Sequence, residues 1–356
     1  MKKLTIITLL VISVMVFATT PEMDFFGFIK LDMSFDSAQN TNGNQTYYVD
    51  NNAAGDIEEF NMTANQTRLG FNTKQELNNG VLIKGYYATD FYGGGAQIKA
   101  NPRMRKAYVK VIDNKKTFIF GQHGDIFATM SPYGIDGSAN LYVNVGYRRP
   151  MVAFQNETNG GVFTFALARP WSADANSETW NPEVNSPDFQ FNYKLNSGIS
   201  IGGYFGNRYE DIAGVRGVKV DSNAFVLDYH KKSSDKEMKC EVFTGEAMSG
   251  YYGGIGYDVK GSNAVECTGG WFNYIKTLDN SSKISFAIGT QENDDQYLAA
   301  GDRMKNEFAS IIHCSKINEV ISFDKGIAYH NTEYKTATSS VDYDDMRIML
   351  SLKYAF

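Results

Sequence analysis

Long apolar runs are nearly missing from this 356-residue chain. After the first twenty residues no stretch approaches the roughly 20 apolar residues that a membrane-crossing helix needs, so no helical span is expected there. Proline is limited to 7 residues, and no Pro/Ser-rich linker or charge run breaks the chain. Length alone would allow two domains, but the even texture is that of one. Cysteine is reduced to Cys240, Cys267 and Cys314, an odd number with no CxxC. That excludes a cysteine metal site and a full disulfide framework. The three read as small apolar residues on strand faces, with a Cys240–Cys267 bridge between neighbouring strands left open. The four histidines, His123, His230, His313 and His330, are scattered, and neither HExxH nor GxSxG occurs. Metal hydrolysis and a nucleophile elbow are therefore not expected, nor is any cofactor. Ser233 near His230 and Ser315 near His313 are the faint outline of a barrel hydrolase, and serine near histidine is common by chance. A formal charge of -6 with no basic stripe argues against nucleic acid as a partner. The acidic runs Asn293-Asp294-Asp295 and Asp342-Tyr343-Asp344-Asp345 read as solvated, or as bridged to lipopolysaccharide through divalent ions, rather than as a calcium site.

The first residues carry the order of a secretory signal peptide. Lys2 and Lys3 precede the apolar run Leu4 to Phe17, and small residues Ala18 and Thr19 follow. That order predicts export, with residues 1–18 removed, and residues 19–356 as a single domain. What fills this domain is Gly (33), Phe (24) and Tyr (22) arranged with a period of two. From Phe25 to Asp36, Phe25, Gly27, Ile29, Leu31, Met33 and Phe35 share one face and Lys30, Asp32, Ser34 and Asp36 the other. At the opposite end Ile348, Leu350, Leu352, Tyr354 and Phe356 oppose Arg347, Ser351 and Lys353. A period of two means strands, and almost none reads as a continuous apolar run buried on both sides. Each strand thus offers one face to an apolar surrounding and one to water. Turns such as Asn78-Asn79-Gly80 and Asn196-Ser197-Gly198 are short, whereas Ser37 to Asn65, His123 to Gly146, Trp171 to Pro187 and Gln291 to Met304 are long and polar. A large sheet with two unlike faces and unequal loop ends is an all-β, transmembrane antiparallel β-barrel. The length accommodates about 16 strands, with short periplasmic turns, long extracellular loops, aromatic girdles and a water-filled interior. Phe356 ends the last strand where assembly machinery of the outer membrane could read it.

Four segments in order, Phe26-Gly27-Phe28-Ile29-Lys30-Leu31-Asp32, Thr67-Arg68-Leu69-Gly70-Phe71, Arg105-Lys106-Ala107-Tyr108-Val109 and Phe120-Gly121-Gln122, resemble Gram-negative trimeric porins. With Tyr147-Arg148-Arg149-Pro150 and Phe165-Ala166-Leu167-Ala168-Arg169-Pro170, the first half of the chain resembles the DcaP-like porins, departing from them at His123-Gly124 where an aromatic is usual. The resemblance implies a homotrimer passing small hydrophilic solutes, anions such as dicarboxylates above all. It also implies an inward-folded loop, here about His123 to Asn144, that narrows the pore. Carried over by position, Lys30, Arg68 and Arg105 stand on the wall with Arg148 and Arg149 nearby, and Asp125 and Asp136 are the acidic residues of the loop. Lys84 joins them from the alternation, on the polar face of Tyr86 and Asp90. Strict alternation also separates Arg105 from Lys106, so one of the two should point away from the lumen, and the sequence does not say which. The alternatives are a cation-tolerant general pore and a structural or adhesive barrel with no conducting lumen.

Overall fold

The computed structural model describes residues 20–41, 45–51, 57–93, 100–135, 142–171, 186–212 and 215–356. The signal segment 1–18 and Asp136 lie outside the described residues, as do parts of the loops on either side of residues 45–51 and after Trp171. In chain order the strands are β1 (Glu22–Asp36), β2 (Glu59–Thr63), β3 (Arg68–Glu76), β4 (Leu82–Asp90), β5 (Arg103–Asp113), β6 (Lys116–Gly124), β7 (Arg148–Glu157), β8 (Gly161–Ala168), β9 (Asp188–Leu195) and β10 (Ile199–Ile212). They continue with β11 (Val215–Lys232), β12 (Lys236–Glu246), β13 (Val259–Lys260), β14 (Asn263–Ala264), β15 (Glu266–Thr277), β16 (Ser282–Asn293), β17 (Arg303–Lys316), β18 (Ile321–Lys335) and β19 (Ser340–Ala355).

All but β13 and β14 belong to one 17-stranded antiparallel sheet, which closes where β1 pairs with β19. Both β2 and β3 pair with β1, the first from Asp32↔Thr63 to Asp36↔Glu59 and the second from Glu22↔Lys74 to Phe28↔Arg68. They are one barrel position interrupted by a bulge, so the barrel has 16 strands. Closure leaves no edge with unpaired backbone groups, which an apolar surrounding would make costly. The last residue takes part: Gly27 N donates to Phe356 O and Phe356 N to Gly27 O, each at 3.1 Å.

The two faces are inverted relative to a soluble domain. Phe25, Ile29, Phe118, Val152, Leu167, Leu227, Val242, Ile311 and Ile348 are among the large apolar side chains exposed on the outside. Asp32, Asp90, Gln190, Asp228, Glu241, Asn273 and Gln291 are buried within. Phenylalanine rings form chains across neighbouring strands, Phe118–Phe154–Phe165–Phe189 and Phe191–Phe205–Phe225, as expected of a surface that lies against hydrocarbon. Short turns gather at the end that holds Phe356, including Leu77–Val81, Asn196–Gly198 and the connection from Leu278 to Ser281. The long connections gather at the other.

Among the described residues three of these long connections turn inward: residues 45–50 lay Tyr47 against Tyr142 and Tyr252, and two more build the centre of the lumen. One follows β6 and is described over 125–135 and 142–147. The other, 247–265, joins β12 to β15 through two short 3-10 turns (Ser249–Tyr251 and Gly254–Gly256) and the β13–β14 hairpin. Together they build an apolar centre in the lumen, where Phe127 packs on Tyr204 and Tyr251 and Met248 lies beside Cys267. The Gly253-Gly254-Ile255-Gly256 run enables it, since Gly254 (φ +64) and Gly256 (φ +87) take left-handed conformations that side chains disfavour. The second inward segment was not expected from the sequence, where the tyrosine and glycine density of 250–257 was its only trace. The three cysteines are free in this structure.

Candidate pore constriction

The site grows from the end of β4. Asp90 is fully buried and accepts from Arg103 Nε (2.9 Å) and Nη2 (2.8 Å) and from Arg105 Nη1 (2.6 Å). Two guanidinium groups on alternate residues meet one carboxylate because the β4–β5 register slips here. Ala88 pairs with Lys106 and Thr89 with Met104, so Arg105 is an extra residue. Such a bulge suspends strict alternation. The expectation that Arg105 and Lys106 face opposite ways is therefore corrected, because both line a cavity of about 340 Å³ that Arg103 and Arg148 share. Met104, between the arginines, points outward and is exposed. The first inward segment closes the cavity from the other side with Thr129 and Ser131.

Arg68 on β3 stands next to this group, its guanidinium 5.3 Å from the Phe28 ring centroid and in the field of Asp90, Arg103 and Arg148. Arg148, the first residue of β7, lies 4.2 Å over the Tyr147 ring, which stacks on Trp171. Arg68 Nε and Arg148 Nε are buried without a hydrogen-bond partner, and neither side chain has an ion pair among the described residues. The outcome is five cationic side chains around Asp90, of which three, Arg68, Lys106 and Arg148, have no ion pair among the described residues.

The other expected wall and loop residues are placed differently. Lys30 is buried beneath the first inward segment, bonded to Gln66 Oε1 and the Ile135 carbonyl and 3.0 Å from Asp32. Lys84 lies nearer the turn end in a register row with Lys74 and Lys110, below a layer of stacked tyrosines, Tyr86 and Tyr108. Asp125 and Arg149 bind each other: Arg149 Nε donates to Asp125 Oδ1 at 2.7 Å and Nη2 to Oδ2 at 3.2 Å. Asp125 also accepts from the Tyr147 amide and Gln190 Nε2, both at 2.7 Å. Arg149 donates to the Gly250 carbonyl at 2.7 Å and lies 3.7 Å over the Tyr251 ring. Asp125 reaches the edge of the cavity, but its charge is spent on Arg149, and this buried pair pins both inward segments to the wall. Arg103 and Lys106 were not among the expected site residues; the RMRK run of 103–106 held the signal, but only the bulge brings its three cations together.

The first inward segment hugs the wall closely at Gly202 on β10. A Cβ there would lie 2.1 Å from the Phe127 carbonyl oxygen. Gly202→Val is expected to lift the segment and raise unitary conductance while the strands remain paired. An unchanged conductance from a folded Gly202→Val barrel would show that this approach does not set the pore width.

No family model matches the sequence, and a comparison with curated proteins finds no match. Among solved structures, the outer membrane channel DcaP of Acinetobacter baumannii superposes with a TM-score of 0.77 at 20% identity, covering 94% of this chain and 97% of the other. The anion-selective porin from Comamonas acidovorans matches with a TM-score of 0.62 at 10% identity over 95% and 100%. The trimer form of OmpT, an outer membrane protein of Vibrio cholerae, matches at 0.60 with 9% identity over 95% and 100%. Identities this low speak to architecture alone. The chain has the closed, 16-stranded fold of bacterial outer-membrane porins.

Proposed function

We propose that this protein is an outer-membrane channel for passive diffusion of small hydrophilic solutes, and that its constriction favours anions, dicarboxylates included. The observation that carries the reading is the excess of cations at the constriction: Arg68, Arg103, Arg105, Lys106 and Arg148 gather around Asp90, and among the described residues the other carboxylate lining the cavity, Asp125, is held by Arg149. Unlike charge across a narrow aqueous gap is worth several times what it is in bulk water, and an excess of one sign selects the permeant ion. The fold likeness to channels and porins supports the same reading, as does an apolar exterior that needs a bilayer around it. Export through the signal segment 1–18, a trimeric assembly, contact with lipopolysaccharide at the loop end and recognition of the strand ending in Phe356 by assembly machinery belong to this proposal. No step requires a catalytic residue, so the chain is read as a non-enzyme.

The test is the reversal potential of the refolded mature protein in a planar bilayer under a salt gradient. Wild type is expected to conduct in steps of three with an anion-biased reversal potential, and Arg68→Ala with Arg105→Ala to weaken that bias. A folded barrel without current would end the transport reading in favour of a structural or adhesive role. A current without bias would leave the general, cation-tolerant pore.

A further inference from the structure

A second cavity, of about 300 Å³, opens at the turn end of the lumen, on a part of the wall that the constriction does not use. Its floor is the connection around Asn280 and its sides are the adjoining ends of β16, β17, β18 and β19. Its roof is Tyr133 from the first inward segment. Two register rows run across it: Lys283↔Cys314↔Asp324, and below it Lys316↔Ser322↔Lys353. Three ammonium groups thus line one cavity, and none of them has an ion-pair partner among the described residues. Lys283 Nζ lies 4.4 Å over the Tyr133 ring.

Both carboxylates of the cavity are otherwise engaged. Asp324 accepts from Tyr133 Oη at 3.0 Å. Asp279 accepts from Ser281 N (2.7 Å), Ser281 Oγ (2.8 Å) and Ser282 Oγ (2.8 Å), and these bonds hold its carboxyl down to about 2. Ser322 Oγ, between Lys316 and Lys353 in the register, is buried without a hydrogen-bond partner among the described residues. Lysines left unpaired on both sides of an unsatisfied hydroxyl lack an acceptor with several oxygens. The volume lies at the lower bound of ordinary ligand pockets.

We propose that this cavity is a second anion subsite, which takes a compact oxyanion of two or more charges between Lys283, Lys316 and Lys353. It rests on the anion-channel reading and extends it: a solute leaving the arginines passes next to the lysines of the turn end. Ser322 completes the donor set, and Tyr133 ties the subsite to the segment that narrows the pore.

Calorimetric titration of citrate into the detergent-folded protein at low salt tests this without any current. The background is Arg68→Ala with Arg105→Ala, so that binding at the constriction is weakened. Saturable heat is expected in that variant, and Lys316→Ala with Lys353→Ala added to it should weaken affinity by roughly tenfold or more, the loss of about 1.4 kcal/mol. Absence of saturable heat in the folded background variant would overturn the proposal, as would heat that survives the lysine substitutions. Lys316→Gln alone, at the exposed end of β17, repeats the comparison with a smaller loss should the combined variant not fold. Failure of the channel reading would appear instead as absent or unbiased current in wild type, whatever the titration shows.

Discussion

Replacing Arg68 and Arg148 together with glutamate is expected to reverse the selectivity of the pore. The anion-biased reversal potential becomes cation-biased, and the chloride-to-potassium permeability ratio falls by roughly tenfold or more. These two are the right pair because neither has an ion pair among the described residues, whereas Arg103 and Arg105 hold the buried Asp90. The substitution moves the local charge by four units without leaving a buried carboxylate alone. At an effective dielectric of about 20, unit charges 4 Å apart interact by about 4 kcal/mol, ample to change the preferred ion. The Debye length is about 10 Å at 0.1 M salt, so the shift should shrink as salt is raised. Arg68→Gln with Arg148→Gln should fall between wild type and the glutamate variant. A folded glutamate variant with the wild-type reversal potential would mean that ions do not pass these residues.

Arg149→Ala is expected to free the lumen rather than to open the barrel. It strands Asp125, whose side chain is fully buried and whose other partners among the described residues are neutral donors, Tyr147 N and Gln190 Nε2. Breaking one side of a buried pair costs about 3–5 kcal/mol. The cost falls on the two inward segments, since Arg149 also holds the Gly250 carbonyl, while the strand ladder around them stays complete. Single-channel records should show a larger and noisier conductance, with the heat-resistant barrel form still present on a gel. Arg149→Met with Asp125→Asn should recover part of the loss, because no unpaired buried charge then remains at that contact. If Arg149→Ala conducts like wild type, the pair does not hold the segments that narrow the pore.

The differences between expected and observed site residues share one cause. Arg68 could be placed on the lumen face from alternation because β3 is regular where it pairs with β1. Arg105 could not, because the slip between Ala88 and Thr89 changes the face of everything before it on β5. Lys30 obeys its alternation and points inward, but the first inward segment comes down over it and takes its ammonium with the Ile135 carbonyl. Asp125 and Arg149 are 24 residues apart and find each other only when β6 and β7 pair as His123↔Arg149.

The sequence by itself determined that the chain is a sheet with one apolar and one polar face, that short turns alternate with long loops, and that about sixteen strands use up its length. Each of these is local: a side chain's face follows from its parity along the strand, and a turn from the few residues that make it. Only the tertiary structure decided which charges stand in the pore, which are spent holding the inward segments, and that a second such segment exists. Those outcomes depend on a one-residue slip in register and on loops crossing the lumen to strands a hundred residues away. Parity and composition carry no record of either.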